Sequence, residues 1–446
     1  MTSPRFNTAH LALPVSWDML EAHLDESCFL WGKWRRVLVA PDHVLEEVAR
    51  VEGRLLAHVD ALVLAGAKAA DRLLVPALGQ CDEPGRVECG ALALLLQDEQ
   101  PEVGLRTVFQ VFLEGEDGPR HGIVRALRLI GGPALENRMR SLLESALSPP
   151  VLAAVLDVLG AWRVDPGPRL TGLLTHEAPE VQAAAFRCVR GLPARLPDAA
   201  LSLGLRSTLA EVGEVALEAG LTGGHRLAWL ECHRQVAERG PLRALAMRAL
   251  AIAGGAQNQR LLFEALDDPL TRREALRAVG LLGTVEAVRT CLALMRETRW
   301  APLAAEAFSM MTGRMMEPAA EARVSDDEDT ALEESSTETE YDAEEDLPRP
   351  DVPVVEAWWA EQSKRFEPSV RYVDGRPLGQ MALLDALRDG SMYRRRSLAL
   401  VLALRTRGEA GLTTDAWTRV QRAQLEAARR LPVARFSRSL EGGAHG

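Results

Sequence analysis

The chain has 446 residues, 47% hydrophobic but only 5% aromatic. A core of that kind is built from Ala, Leu and Val, which favours helices and excludes an ordinary β-sandwich or barrel. The net charge of −11 is concentrated in residues 317–348, with 14 acids and one base, while residues 349–446 carry 17 bases and 11 acids; the near-neutral remainder lacks the clustered positive potential of a nucleic-acid-binding surface.

At the amino end, Met1–His10 lacks a charged region followed by an apolar run, so no secretory signal is read. Val44, Val48, Val51, Leu55, Val59 and Leu62 form one apolar stripe on a long helix, with Phe29, Trp31 and Trp34 just before it. Residues 1–66 therefore read as an atypical helical cap. Residues 67–118 read as one or two degenerate helix pairs.

From there the chain repeats. Gly131, Gly160, Gly191, Gly220, Gly254, Gly283 and Gly313 close apolar helical stretches at steps of 29, 31, 29, 34, 29 and 30 residues. Most stretches open with Pro, which suits a first helical turn, and close on Gly, which suits a left-handed cap. Second helices lie between them, such as 256–268 and 285–297. Helices this short are marginal alone and must bury one face against neighbours. The expectation over residues 67–316 is an all-α solenoid of antiparallel helix pairs, each contacting only the next.

After Gly313 the pattern stops. The acidic residues 317–350 contain too little apolar surface to offset their ordering entropy and are expected to be disordered. Residues 351–431 recover helical periodicity and predict a carboxy-terminal helical cap or small helical domain, and residues 432–446 a flexible tail. The longest apolar runs, such as Leu398–Leu404, fall far below the roughly 20 residues of a membrane span. Six cysteines at 28, 81, 89, 188, 232 and 291 form no CxxC pair and read as small buried hydrophobes in a reducing, cytoplasmic compartment.

No catalytic, cofactor or metal residue is assigned. His176-Glu177 is the only His-Glu dipeptide, has no second His at HExxH spacing, and reads as a turn cap. Cys232 and His233 are adjacent on a predicted helix, so they point about 100° apart and cannot share an ion. Gly32-Lys33-Trp34 lacks the rest of a phosphate loop, and only three lysines occur, at 33, 68 and 364. Trp358, Trp359, Arg394, Arg395 and Arg396 are the candidate partner-binding residues, because Trp and Arg dominate binding anchors. Arg394–Arg396 are also positioned in sequence to clamp the acidic stretch.

The segment LLFEALDDPLTRREALRAVGLLG resembles HEAT repeats. FLWGKWRRVLVAPDHVLEEVARVEGRLLAHVDALVLAG and RYVDGRPLGQMALLDALRDGSMYRRRSLAL resemble a family of bacterial HEAT-like proteins whose genes often lie in type VI secretion neighbourhoods. That resemblance implies a cytoplasmic scaffold or adaptor whose partner is another protein, such as a secretion effector or spike adaptor. The alternatives are a small-molecule-binding or catalytic HEAT-like protein with a concave cleft, or an immunity protein for a secreted effector.

Overall fold

The computed structural model describes residues 16–83, 85–97, 101–316, 341–437 and 440. Over these the chain is all-α, apart from one short β-hairpin and an isolated bridge. It divides into two units, one of residues 1–34 and 50–130, the other of residues 35–49 and 131–446. The chain passes between the units at Trp34–Arg35, Ala49–Arg50 and Ile130–Gly131.

The helices of the amino-terminal part are α1 (Trp17–Val37), α2 (Leu45–Leu64), α3 (Gly66–Ala69), α4 (Val75–Ala77), α5 (Arg86–Leu95), α6 (Pro101–Glu114) and α7 (Asp117–Leu129). The predicted stripe forms in part on α2: Val48, Leu55, Val59 and Leu62 are fully buried, whereas Val51 is half-buried and Val44 lies just before the helix. Trp31 and Trp34 are buried on α1, whereas Phe29 is exposed. Helix α5 buries Val87 to Leu94 without interruption and packs on both α6 and α7. Gly122 makes the α7 approach possible, since a Cβ there would lie 2.6 Å from Val87.

The second unit holds α8 (Pro133–Leu142), α9 (Pro149–Ala161), α10 (Leu170–Leu173), α11 (Pro179–Val189), α12 (Asp198–Leu205), α13 (Ala210–Gly223), α14 (Arg226–Ala237), α15 (Arg243–Ala253), α16 (Ala256–Asp267), α17 (Arg272–Val279), α18 (Val285–Leu294) and α19 (Ala301–Thr312). Prolines open α8, α9, α11 and α19. Helices α9, α11, α13, α15, α17 and α19 pack each on the next, and α10, α12, α14, α16 and α18 each pair with a neighbour in that row. Long runs of the row helices are buried, as in α11 from Val181 to Phe186 and α15 from Leu245 to Met247, while α17 buries only Ala275, Leu276, Ala278 and Val279.

The repeat glycines do two different jobs. Gly283 has φ +69° and caps the turn after α17 in the left-handed region. Gly160 lies inside α9, where an added Cβ would come 3.0 Å from the Cys188 backbone of α11, so it sets the helix spacing.

Thr284 caps α18 by accepting the Ala287 N–H at 3.3 Å and donates to Gln259 Oε1 at 3.0 Å. Thr284→Ala is expected to cost about 1 kcal/mol, the ordinary value of an N-cap, read as a lower urea midpoint with unchanged slope.

After the row come a turn over 341–350, α20 (Val352–Gln362), a hairpin of β1 (Tyr372–Val373) and β2 (Arg376–Pro377), α21 (Gln380–Asp389), α22 (Met392–Thr406) and α23 (Thr418–Arg429). Residues 351–431, expected to form a carboxy-terminal helical cap or small helical domain, belong to the second unit together with the helix row. The reason lies in the helix ends, whose last carbonyls have no partners within their own helix. Tyr372 donates its N–H to Gly283 O at 2.7 Å, Asp374 to Met310 O at 2.8 Å and Gly375 to Met311 O at 3.0 Å. The Arg371 guanidinium bonds the carbonyls of Ala251, Ile252, Leu281 and Leu282. One short segment thus closes the carboxyl ends of α15, α17 and α19.

Two further expectations change. Residues 341–350 of the stretch expected to be disordered are structured, with Leu347 only 5% exposed; residues 317–340 lie outside the described residues. In the expected flexible tail, Phe436 is buried and its carbonyl accepts from Arg405 at 3.0 Å, because the side chain and the helix-end arginine both gain from the contact; residues 438–439 and 441–446 lie outside the described residues.

Candidate functional site

The five residues proposed from sequence are drawn mostly inward. Trp359 is buried edge-on to Phe308 and tilted against Phe366, with centroids 6.0 and 5.2 Å away. Trp358 is half-buried and also meets Phe308 edge-on. Arg394 pairs with Glu306 of α19, Nη2 to Oε2 at 2.9 Å, rather than with the acidic stretch. Arg395 is fully buried and donates to Gln421 at 2.7 Å. Only Arg396 remains exposed. The geometry of α22 forces this division, since three consecutive residues on a helix cannot share one face.

Residues 341–347 of the acidic stretch are instead held by arginines that sequence reading did not single out. Helix α17 presents Arg273 and Arg277 one turn apart. Arg273 reaches Asp342 at 2.9 Å and Glu344 at 2.7 Å, and Arg277 also pairs with Glu344. Tyr393 of α22 donates to the same carboxylate at 3.0 Å. Arg36 pairs with Asp346 at 3.2 Å and lies over the Tyr341 ring, 4.5 Å from its centroid. Tyr341 in turn donates to Asp346 at 2.6 Å. The turn carries its own bonds, from Glu344 N to Asp342 Oδ1 at 3.0 Å and from Leu347 N to Glu344 O at 3.2 Å.

Burial by itself raises the Glu344 carboxyl pKa, but Arg277 and Arg273 outweigh it and hold the carboxyl below its ordinary value. A carboxyl depressed in the folded state contributes stability that is complete above the ordinary carboxylate range and fades as pH falls through the depressed value. Burial, followed by the Glu344 charge, pushes the Tyr393 hydroxyl well above its usual range, so it stays a proton donor.

Beside this cradle the exposed side of the helix row is lined with charges of both signs. Arg187 bridges Asp157 at 2.7 Å and Glu211 at 3.1 Å, joining α9, α11 and α13. Arg190 pairs with Glu218 at 2.6 Å, and Arg243 with Glu274 at 2.9 Å. Arg248 is half-buried near Glu214, Glu218, Arg277 and Arg396, and burial lowers its pKa. Neither Arg248 nor Arg396 closes a salt bridge among the described residues.

Other polar pairs lead nowhere chemically. His225 Nδ1 meets Asp198 at 2.8 Å, but its Nε2 edge lies against Gly223, where an added Cβ would be 2.9 Å away. A base needs that nitrogen open to substrate. His23 and His58 bring their Nδ1 atoms to 3.0 Å, yet no group of three or more potential metal ligands assembles among the described residues. His176 accepts the Ala178 N–H at 3.0 Å and serves as the expected turn cap. Cys89, Cys188, Cys232 and Cys291 are buried, Cys28 is half-buried and Cys81 is exposed. No described helix is long and apolar enough to cross a membrane.

These features define an all-α protein of paired helices whose second unit exposes a charged face and seats an acidic turn on it. Comparison with protein-family models, curated proteins and solved structures found no match to this chain.

Proposed function

We propose that this protein is a non-enzymatic scaffold that binds another protein through the charged face of its second unit. One observation carries the reading: a stretch of polypeptide, Tyr341–Leu347, already lies on that face, held by side chains from α17, α22 and Arg36. A surface that orders one acidic segment through ion pairs and a buried leucine has the chemistry to order another. Paired helices in a row supply rigid positions for such side chains, which limits the entropy lost on binding. The resemblance to HEAT-like proteins encoded beside secretion genes makes a secretion effector or spike adaptor the proposed class of partner, met in the cytoplasm.

The test is affinity capture from native extract with the full chain and an Arg248→Glu/Arg396→Glu variant. One dominant partner is expected with the parent chain, reduced at least about fivefold by the charge reversals, since close interfacial charge pairs couple by more than about 1 kcal/mol. Recovery of the same abundant background proteins by both chains would refute the scaffold reading.

A further inference from the structure

We infer that the cradle of Arg36, Arg273, Arg277 and Tyr393 is a receptor for acidic peptide segments of a partner protein, and that residues 341–347 are a resident competitor such a segment must displace. The inference deepens the scaffold reading and rests on it.

The spacing defines the ligand. Three carboxylates occur at alternate positions, Asp342, Glu344 and Asp346, and a leucine follows directly. Asp342 and Glu344 meet Arg273, Glu344 also meets Arg277 and Tyr393, and Asp346 meets Arg36. Leu347, 5% exposed, is the apolar anchor. A partner segment of the pattern acid-x-acid-x-acid-Leu satisfies every one of these groups in the same way.

The contact is also built to exchange. Arg273, Arg277 and Arg36 keep 49%, 40% and 48% of their side-chain surface exposed, and Asp342 and Asp346 keep 43% and 42%. Ion pairs that open to solvent contribute little each and weaken with salt. Glu344, at 12%, is the exception and the centre of the seat. An ion-paired turn whose one buried side chain within 341–347 is Leu347 can therefore leave for the cost of exposing that leucine.

Displacement has a calculable consequence. A resident segment seated about nine-tenths of the time lowers the apparent affinity for an external one about tenfold. The probe is a fluorescein-labelled peptide of this chain's residues 338–350, ETEYDAEEDLPRP, followed by anisotropy with the purified full chain at low salt. The D342N/E344Q/D346N variant strips the resident segment of its three cradle-binding charges, leaving the arginines free, and is expected to bind the peptide at least about tenfold more tightly than the parent. Adding R273E/R277E to that variant is expected to abolish binding. Equal binding by parent and triple variant would overturn the inference, as would binding that survives the arginine reversals. A polyuridine oligonucleotide that competes as well as the peptide would also overturn it, because it would mark a general polyanion site.

Hydrogen exchange on the unaltered chain gives a second reading that needs no variant to fold. Saturating peptide is expected to speed exchange at the amides of Glu344, Glu345 and Leu347, whose turn bonds break on release. Unchanged exchange under saturation would overturn displacement. The peptide assay uses no native partner, so failure here with a partner still captured through Arg248 and Arg396 leaves the scaffold reading standing. Success here with no partner captured reverses that outcome.

Discussion

Replacing Arg371 with alanine is expected to destabilise the second unit by about 2–3 kcal/mol, the order of cost of withdrawing a charged donor from hydrogen-bonded acceptors that are left unmet. The Arg371 guanidinium donates to Leu282 O at 2.7 Å, Ile252 O at 2.9 Å, and Ala251 O and Leu281 O, both at 2.7 Å. These carbonyls sit at or just beyond the carboxyl ends of α15 and α17, where the helix dipole is negative and the intrahelical partners have run out. Alanine removes the cation and leaves the acceptors facing a void. It also frees the hairpin that follows, since Tyr372 depends on the same approach to bond Gly283. The measurement is a urea transition of the full chain together with hydrogen exchange at the last turns of α15 and α17. Arg371→Lys is expected to recover less than half of the loss, because one ammonium cannot reproduce a planar fork of donors. A loss below about 1 kcal/mol would mean that water satisfies the four carbonyls as well as the arginine does.

The opposite sign is expected at Arg395. This side chain is fully buried, its one bond runs to Gln421 at 2.7 Å, and its Nε and Nη1 find no partner among the described residues. Burial pulls its pKa down to about 10 from an ordinary 12.5. Burial lowers the Arg371 pKa to about 10 as well, so what separates the two is hydrogen bonding: Arg371 spends its donors on four carbonyls, whereas two nitrogens of Arg395 have no acceptor among the described residues. Arg395→Met keeps the length and volume while removing the charge. Gln421 loses one donor but keeps its bonds to Thr414 O at 3.2 Å and Ala416 O at 2.8 Å. The net expectation is a gain of about 2 kcal/mol, within the range found when buried ionic groups are replaced by apolar ones.

The pH dependence of that gain has a definite sign. Below about pH 9 the arginine is protonated both folded and unfolded, so the difference between variant and parent is constant. Above about pH 10 the folded parent releases its proton first, its penalty fades, and the advantage of Arg395→Met shrinks. An advantage that grows through that window, or a variant less stable than the parent at pH 7, would show that the guanidinium is better satisfied than its contacts indicate.

The contrast between the two arginines shows how far local sequence reaches. Both precede or sit within apolar segments and look alike in composition. Arg395 lies in the Arg394–Arg396 triplet that drew attention as a binding patch, and helix geometry alone separates its members into a pair with Glu306, a buried cation and one exposed side chain. Arg371 drew no attention, because the carbonyls it serves are 89 to 120 residues away in the chain.

By itself the sequence determined that the chain is helical, where α2 places most of its apolar stripe, and that α9, α11 and α19 open with proline. Each of these depends on a window of a dozen residues or fewer, and helical periodicity is complete within such a window. The sequence also marked the closing glycines, but only packing decided that Gly283 turns the chain and Gly160 admits a neighbouring helix. Tertiary structure alone placed residues 371–375 across three helix ends and laid Asp342 and Glu344 on arginines 67 to 71 residues upstream. Unsatisfied carbonyls and exposed guanidinium groups accept any suitable donor or carboxylate within reach, and which one comes within reach is fixed by the folded path of the whole unit rather than by neighbouring residues.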